Sequence, residues 1–176
     1  MTARRAAVAV VVASGEHGDE VLVILRAIVE RDPWSGHLAI PGGGSKSEDS
    51  SLEATARRET LEETGIDLAS SACLAALTTV TPHSVRLPSI TISPFVFRYH
   101  GDKRITISNE LADAWWIPVT ELTRENAWVM TPVVIGDGTV LTVRGFKWHG
   151  HILWGLTERI LYEFLDWMRR PDVRGE

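Results

Sequence analysis

The spacing of hydrophobic and polar positions predicts several strands in the first hundred residues. The run "AAVAVVVA" at 6–13 is continuously apolar, and "EVLVILR" at 20–26 is rich in β-branched residues, so both predict buried strands. The next segment, "AIVERDPWSGH", contains Pro33 and Gly36 and predicts a loop, after which "LAI" predicts a short strand that leads into three glycines. Further strands are predicted near 73–81, 89–99 and 113–118.

Two helices and a hairpin complete this pattern. Residues from about 51 to 64 predict a helix, and residues 151–168 repeat apolar positions at helical spacing. The stretch "VVIGDGTVLTV" at 133–143 predicts a hairpin that turns at Asp137-Gly138. Strands with interspersed helices predict an α/β fold in which a mixed sheet lies between helices. The length of 176 residues fits a single domain spanning 1–176.

The helix near 51–64 carries its own boundary signals. Ser50 is a good N-cap residue, and Glu53 three residues later would complete a capping box. Gly65 can adopt the left-handed conformation that ends a helix, and Ile66 supplies the apolar contact expected after it. The sequence therefore predicts a short helix with fixed ends.

Three carboxylates crowd one face of this helix. At 3.6 residues per turn, Glu59, Glu62 and Glu63 fall within an arc of roughly 100°, where like charges are mildly destabilising. They could form a solvated acidic surface, or they could hold a metal ion. A solvated surface does not explain the triple glycine that precedes the helix.

Taken together, these residues resemble the Nudix box of the Nudix hydrolases, in which a Gly, five residues, a Glu and seven residues precede an Arg-Glu-apolar-x-Glu-Glu-x-Gly run. The positions that match at the right spacing are Gly44, Arg58, Glu59, Glu62, Glu63 and Gly65. Two positions depart: Ser50 stands where the first Glu of the box is expected, and Thr60 replaces the apolar residue. Asp49, one residue earlier, is a candidate substitute for the missing Glu.

The resemblance implies a Nudix fold and cleavage of a diphosphate linked to another group, with Mg²⁺ or Mn²⁺ as cofactor. Carboxylate oxygens are the ligands that Mg²⁺ prefers, and by resemblance Glu59, Glu62 and Glu63 are the metal ligands. Arg58 would orient the glutamates, and Gly42, Gly43 and Gly44 would let the backbone bend tightly near the metal site and the substrate.

A base is also needed to deprotonate the attacking water. In proteins of this kind the base comes either from the box helix or from a later loop. The segment "SNELADAWWIPVTEL" resembles the family segment in which a Glu precedes a Trp and a Pro, which makes Glu110 the candidate outside the box, as base or as an additional ligand. A solvated loop carboxylate is the alternative for Glu110.

The residues before the box suggest a substrate. "ILRAIVERDPWSGHLAIPGGGSKSED" is similar to the segment that enters the box in coenzyme A pyrophosphatase-like Nudix proteins, with matches at Arg26, Ala27, Arg31, Gly36, Pro41, Gly42, Gly43 and Asp49. The interval between Arg31 and Gly36 is one residue longer than in that group, and Ile40 replaces a Phe. The resemblance implies that Arg26 and Arg31 meet the phosphates of coenzyme A or a related nucleoside diphosphate compound. Nucleoside triphosphates and nucleoside diphosphate sugars are alternative substrates, and a binding module without turnover is an alternative function.

Composition and charge narrow the partners and the cellular location that the sequence predicts. A net charge of −5 without a dense basic face argues against a nucleic-acid polymer as partner. No apolar run approaches the length of a membrane span, and the single cysteine, Cys73, suits a reducing cytoplasm. The apolar C-terminal helix fits a homodimer as well as the core of a monomer.

Overall fold

The computed structural model describes residues 4–29, 35–82, 89–135 and 138–170. The first part of the chain forms the strands β1 (Arg4–Gly15), β2 (Gly18–Arg26), β3 (Leu38–Ala39), β4 (Gly42–Gly44), β5 (Ala72–Ala76), β6 (Ile90–Tyr99) and β7 (Leu111–Pro118), with the helix α1 (Leu52–Thr64) between β4 and β5. The rest forms the helix α2 (Val119–Thr123), the strands β8 (Trp128–Val134), β9 (Val140–Trp148) and β10 (His151–Trp154), and the helix α3 (Leu156–Met168).

Strands β1–β7 form one mixed sheet with the main order β3-β2-β1-β6-β5, in which β7 joins β2 and β4 joins β1. β1 runs parallel to β6 and antiparallel to β2, which confirms the predicted mixed sheet. β1 pairs with β2 only from Val12 to Gly15, and farther back, at Ala6–Val8, it pairs with β4 instead. The two strands therefore diverge like a fork, and the glycine strand β4 lies inside the sheet between them.

The sheet is covered on both faces, because side chains of β1 alternate between two cores. Ala7, Ala9 and Val11 pack in the core that contains Ala56 of α1 and Ile66 after it. Val10 and Val12 pack in the other core, whose members include Phe146, Leu153 and Phe164. α1 thus covers one face, and β8–β10 with α3 cover the other, which confirms the predicted arrangement of helices around a sheet.

The C-terminal helix begins later than predicted. Residues 151–154 were predicted as its first turn, but they form β10, which pairs antiparallel with β9. His149 and Gly150 have positive φ values of 47° and 83°, so the chain reverses there and returns along β9. Gly155, with φ 68°, then separates β10 from α3. An apolar segment with turn residues on both sides fits a strand as readily as a helix, so periodicity alone misplaced this boundary.

Two other predicted elements differ in extent. The strand predicted at 73–81 ends at Ala76, and Val80 makes only an isolated bridge to Ile92. The backbone N–H of Thr78 donates to the Glu163 carboxylate (3.0 Å), which takes this residue out of the strand pairing. The predicted hairpin at 133–143 is confirmed as the β8–β9 pair, but Asp137 of its predicted turn lies outside the described residues.

The N-cap of α1 is Ser51 and not the predicted Ser50. The Ser51 hydroxyl accepts the N–H of Ala54 (3.0 Å), and at the other end the N–H of Gly65, with φ 72°, donates to the carbonyl of Leu61, as predicted. No capping box forms between Ser50 and Glu53, because the Glu53 carboxylate instead accepts from Arg57, at 3.0 Å from Nε and 2.6 Å from Nη2. Ser50 and Ser51 are adjacent, and either could cap the helix. The residue at which the helix begins shows that Ser51 does so.

The position of this cap gives a matched pair of variants. Ser51→Ala removes the acceptor for the Ala54 N–H and is expected to lower the free energy of unfolding by about 1 kcal/mol. Ser50→Ala removes an exposed hydroxyl and is expected to change it by less than about 0.5 kcal/mol. Urea unfolding of both variants measures the difference, and a larger loss at Ser50 would contradict the assigned cap.

Candidate active site

The glycine strand and the carboxylate helix are in direct contact. A Cβ added to Gly43 would lie 2.6 Å from Cδ of Glu59, so the absence of a side chain makes room for this carboxylate. At Gly42 an added Cβ would lie 2.3 Å from the Ala7 carbonyl oxygen. Any residue larger than glycine would clash at both positions. The carboxylates of α1 can therefore reach the backbone of β4.

Glu63 is the most buried of the three helix glutamates. It is only 2% exposed, and its carboxylate accepts the N–H of Gly42 at 3.0 Å. Burial raises the pKa of Glu63 to about 7, although the hydrogen bond from Gly42 and the charge of Arg26 oppose this shift. Glu63 therefore does not belong to a solvated acidic surface, because its side chain lies under the glycine strand. An ionised carboxylate at this depth gains from a nearby cation.

Arg58 connects the box helix to the loop that precedes it. Its Nη1 donates to Glu59 Oε1 (2.6 Å) and to Glu62 Oε2 (3.1 Å). Its Nη2 donates to the carbonyl oxygen of Gly44 (3.0 Å). Hydrogen bonds to the carboxylates of Asp49, first, and of Glu59 raise the pKa of Arg58, so its charge is fixed. The contacts support the predicted role of Arg58 in orienting the glutamates.

Asp49 holds the other side of the same guanidinium. Its Oδ1 accepts from Arg58 Nε (2.8 Å) and its Oδ2 from Nη2 (2.9 Å), while Oδ2 also accepts from the Lys46 N–H and the Thr55 hydroxyl, both at 2.8 Å. The Asp49 side chain is 6% exposed. The hydrogen bonds from Arg58 come first among the causes that hold the pKa of this carboxyl well below its ordinary value. Asp49 thus supplies a carboxylate beside the serine that interrupts the box.

We expect Asp49→Asn to lower the turnover number by about tenfold to hundredfold, because Arg58 loses the group that positions it. A carboxyl with a lowered pKa stabilises the fold above its unfolded-state pKa of about 3.9, and this contribution disappears as pH falls. The melting temperature of the variant should therefore lie below that of the unmodified protein at neutral pH and approach it in acid.

Ser50→Ala is the matched control, since it alters the position where the box expects a Glu. We expect it to keep both activity and melting temperature. If Asp49→Asn kept full turnover and its melting temperature differed equally at every pH, Asp49 would not position Arg58.

Glu62 lies at the outer edge of the cluster. Its side chain is 49% exposed, and it pairs with Lys46 Nζ at 3.4 Å as well as with Arg58. Across the described ranges, no three His, Cys, Asp or Glu side chains are already arranged as a group that could hold a metal ion. Glu59 and Glu63 both reach β4, but Glu62 turns toward Lys46. That all three glutamates converge on one ion stays a prediction.

Backbone contacts place Glu110 beside this cluster. The N–H of Ser108 donates to the carbonyl oxygen of Glu63 (2.9 Å), and the N–H of Ala27 donates to that of Glu110 (2.9 Å). The charge of Glu110 raises the pKa of Glu63 and that of Arg26 lowers it, so both act on the buried carboxylate. The structure therefore brings together Arg26, Glu63 and Glu110. Arg31 lies outside the described residues.

A cavity of about 240 Å³ lies on the other side of the glycine strand. Arg26 and the three glycines Gly42, Gly43 and Gly44 line it, together with aliphatic side chains of β1, β6 and α3. The residues from α3, which are Leu156, Thr157 and Ile160, were not predicted as site residues. Helical spacing could indicate a buried face there but not which part of the sheet it covers.

The residues present fit a divalent metal ion. Carboxylate oxygens are the hard ligands that Mg²⁺ and Mn²⁺ take, and Gly43 leaves space for Glu59 that any other residue would fill. Glu59 and Glu63 reach the same short strand from one helix. Glu59 and Glu63 are therefore placed to hold such an ion, and Glu62 stays a predicted third ligand.

The mixed sheet between helices, with a carboxylate helix behind a glycine strand, defines the Nudix fold. A family model described as the NUDIX domain matches residues 3–134. The chain belongs to the NUDIX domain family, and this supports the predicted pyrophosphatase activity.

Among curated proteins, the chain is 37% identical over 141 residues to an uncharacterized protein of Schizosaccharomyces pombe. The matched part is 68% of this chain but 43% of that protein, so the chain spans less than half of its relative.

Solved structures share the fold. A MutT/nudix family protein from Enterococcus faecalis matches 98% of this chain and 66% of its own, with a TM-score of 0.62 and 17% identity. The NUDIX domain of Shewanella oneidensis NrtR, complexed with ADP ribose, matches 69% of this chain and 77% of its own, with a TM-score of 0.56 and 19% identity. A Caenorhabditis elegans Ap4A hydrolase matches 68% of this chain and 82% of its own, with a TM-score of 0.54 and 16% identity. Within the described residues, no helix is both long and apolar enough to cross a membrane.

Proposed function

We propose that this protein is a metal-dependent pyrophosphohydrolase that cleaves a phosphoanhydride bond in a small-molecule diphosphate. The observation that carries the proposal is the contact between the glycine strand and the box helix, where Glu59 reaches Gly43 and Glu63 accepts from Gly42. Arg58 donates hydrogen bonds to Glu59 and Glu62, and Asp49 accepts one from Arg58 and so holds it in place. Membership in the NUDIX domain family supports the same reaction.

Some residues of the site would bind the metal ion, and others would contact the substrate or the attacking water. Glu59, Glu62 and Glu63 would hold Mg²⁺ or Mn²⁺, which when bound neutralises the diphosphate and lowers the pKa of an attacking water. Arg26 lines the cavity beside the glycine strand and its charge acts on Glu63, so it would contact a phosphate there. Glu110 would accept the proton of the water.

For the substrate, we propose coenzyme A or a related nucleoside diphosphate derivative. Two features support it: the flanking residues that resemble the coenzyme A pyrophosphatase-like group, and the position of Arg26 beside the glycines and an apolar cavity. Structural relatives described with ADP ribose or as an Ap4A hydrolase make other nucleoside diphosphate compounds the main alternative.

A panel of diphosphates with Mg²⁺ or Mn²⁺, read by mass spectrometry, tests the substrate. Release of 3′,5′-ADP and a phosphopantetheine from coenzyme A is the expected result. Inorganic pyrophosphate released from a nucleoside triphosphate would favour the alternative substrate class. If no diphosphate is cleaved while one binds in the presence of metal, the protein is a binding module.

A further inference from the structure

The cavity behind the glycine strand is lined almost wholly by aliphatic side chains. Ala6 and Val8 come from β1, Ile90 and Ile92 from β6, and Ile40 from the connection between β3 and β4. Besides backbone, the polar side chains that line it are those of Arg26 and Thr157, as far as the structure describes the chain. The described residues of this lining offer few hydrogen bonds and no aromatic ring on which a nucleobase could stack.

The cavity and the carboxylates lie on opposite faces of one short strand. Gly43 faces α1, where an added Cβ would meet Glu59, and its partner Ala7 packs in the core on the α1 side. Ala6 and Val8, which alternate with Ala7, line the cavity. The glycine strand, which has no side chains, therefore lies between the carboxylate helix and the aliphatic cavity.

α3 closes the cavity from the side opposite the sheet. Leu156, Thr157 and Ile160 form its first two turns, and all three line the cavity. This helix lies beyond residue 134, where the match to the NUDIX domain ends. The wall that limits the cavity is thus supplied by a part of this chain that the domain match does not include.

We infer that the cavity selects substrates in which an aliphatic group, and not an aromatic base or a sugar, is attached directly to the diphosphate. This inference rests on the proposed function. The volume of about 240 Å³ is below the usual range of about 300–1,000 Å³ for a whole ligand, so the cavity holds one part of the substrate. Arg26 at its wall meets the adjoining phosphate. The branched pantoyl group of coenzyme A has this chemistry, as do simple alkyl esters of a nucleoside diphosphate.

The direct test uses compounds that share ADP and differ only in the group on the β-phosphate: methyl, n-butyl, ribose or adenosine. We expect kcat/KM for the butyl ester to exceed that for ADP-ribose and for diadenosine diphosphate by about tenfold or more, because each methylene placed in an apolar pocket contributes. Equal values for all four compounds would overturn the inference, although hydrolysis itself would be established.

Substitutions in α3 test whether the cavity causes the preference for the butyl ester. Leu156 is partly buried at the cavity wall, so Leu156→Trp should fill the space and lower kcat/KM for the butyl ester by about tenfold, with a much smaller loss for the methyl ester. Leu156→Ala should instead extend the length of chain that is accepted. Tyr162→Ala is the control on the same helix, because Tyr162 is 60% exposed and does not line the cavity. A loss at Tyr162 equal to that at Leu156 would count against a role for the cavity.

A binding measurement separates this inference from the proposed reaction. Titration calorimetry with methyl and butyl esters of methylenediphosphonate, which cannot be hydrolysed at the bridge, needs no turnover. Tighter binding of the butyl ester that is lost in Leu156→Trp would support the cavity even if no diphosphate were cleaved. Equal binding of both esters would refute it, whatever the enzyme hydrolyses.

Discussion

Glu62→Gln is expected to reduce metal-dependent hydrolysis by about a thousandfold while the protein stays folded, since a predicted metal ligand loses its charge. Glu62 is half exposed, and its partner Lys46 is 53% exposed. Ion pairs as open as the one with Lys46 contribute less than about 1 kcal/mol, so the free energy of unfolding should change little. Calorimetric titration with Mn²⁺ and a hydrolysis assay on the same preparation measure both effects.

Lys46→Gln is the matched control for this variant. It breaks the same Lys46–Glu62 pair but keeps the carboxylate, so we expect it to retain most of the turnover and the Mn²⁺ binding. Full metal-dependent turnover in Glu62→Gln would remove Glu62 from the ligand set. Equal losses in both variants would indicate that the ion pair, and not the ligand, matters.

Glu63→Gln would change the site differently, because Glu63 is buried and not half exposed. The amide oxygen can still accept the N–H of Gly42. The substitution therefore removes the charge but leaves the glycine strand in place between β1 and β2. The two glutamates are adjacent in sequence, yet one belongs to the core and the other to the surface. Helical spacing predicts that they share a face but not which of them the glycine strand covers.

The sequence predicted the N-terminal part of the fold well, because its signals are local. Strand patterning, the stop at Gly65 and the box spacing each depend on neighbouring residues, and they place β1, β2 and α1 within a few residues of their observed bounds. The three-glycine stretch was predicted to bend the backbone. It forms instead an internal strand, since its pairing with Ala6–Val8 of β1 is a long-range contact that composition does not reveal.

Tertiary contacts also explain what could not be predicted about the site. Asp49 was predicted as a substitute for the acidic group that is missing at Ser50, but the sequence did not show that its partner is Arg58. The cavity wall on α3 lies more than ninety residues after the box, and its place depends on β10, whose residues were predicted as helix. Side chains that meet across such distances leave no periodic signal.

Glu110→Gln is expected to lower kcat by about a hundredfold with little change in KM, because a base acts on the reacting water and not on the bound diphosphate. Gln at this position keeps the size of the side chain and the Ala27 N–H bond to the backbone carbonyl, so the loop should stay in place. Glu121→Gln, on α2 and paired with Arg124, is the control and should leave both constants unchanged. An unchanged kcat would make Glu110 a solvated loop carboxylate and leave the base among the glutamates of the box helix.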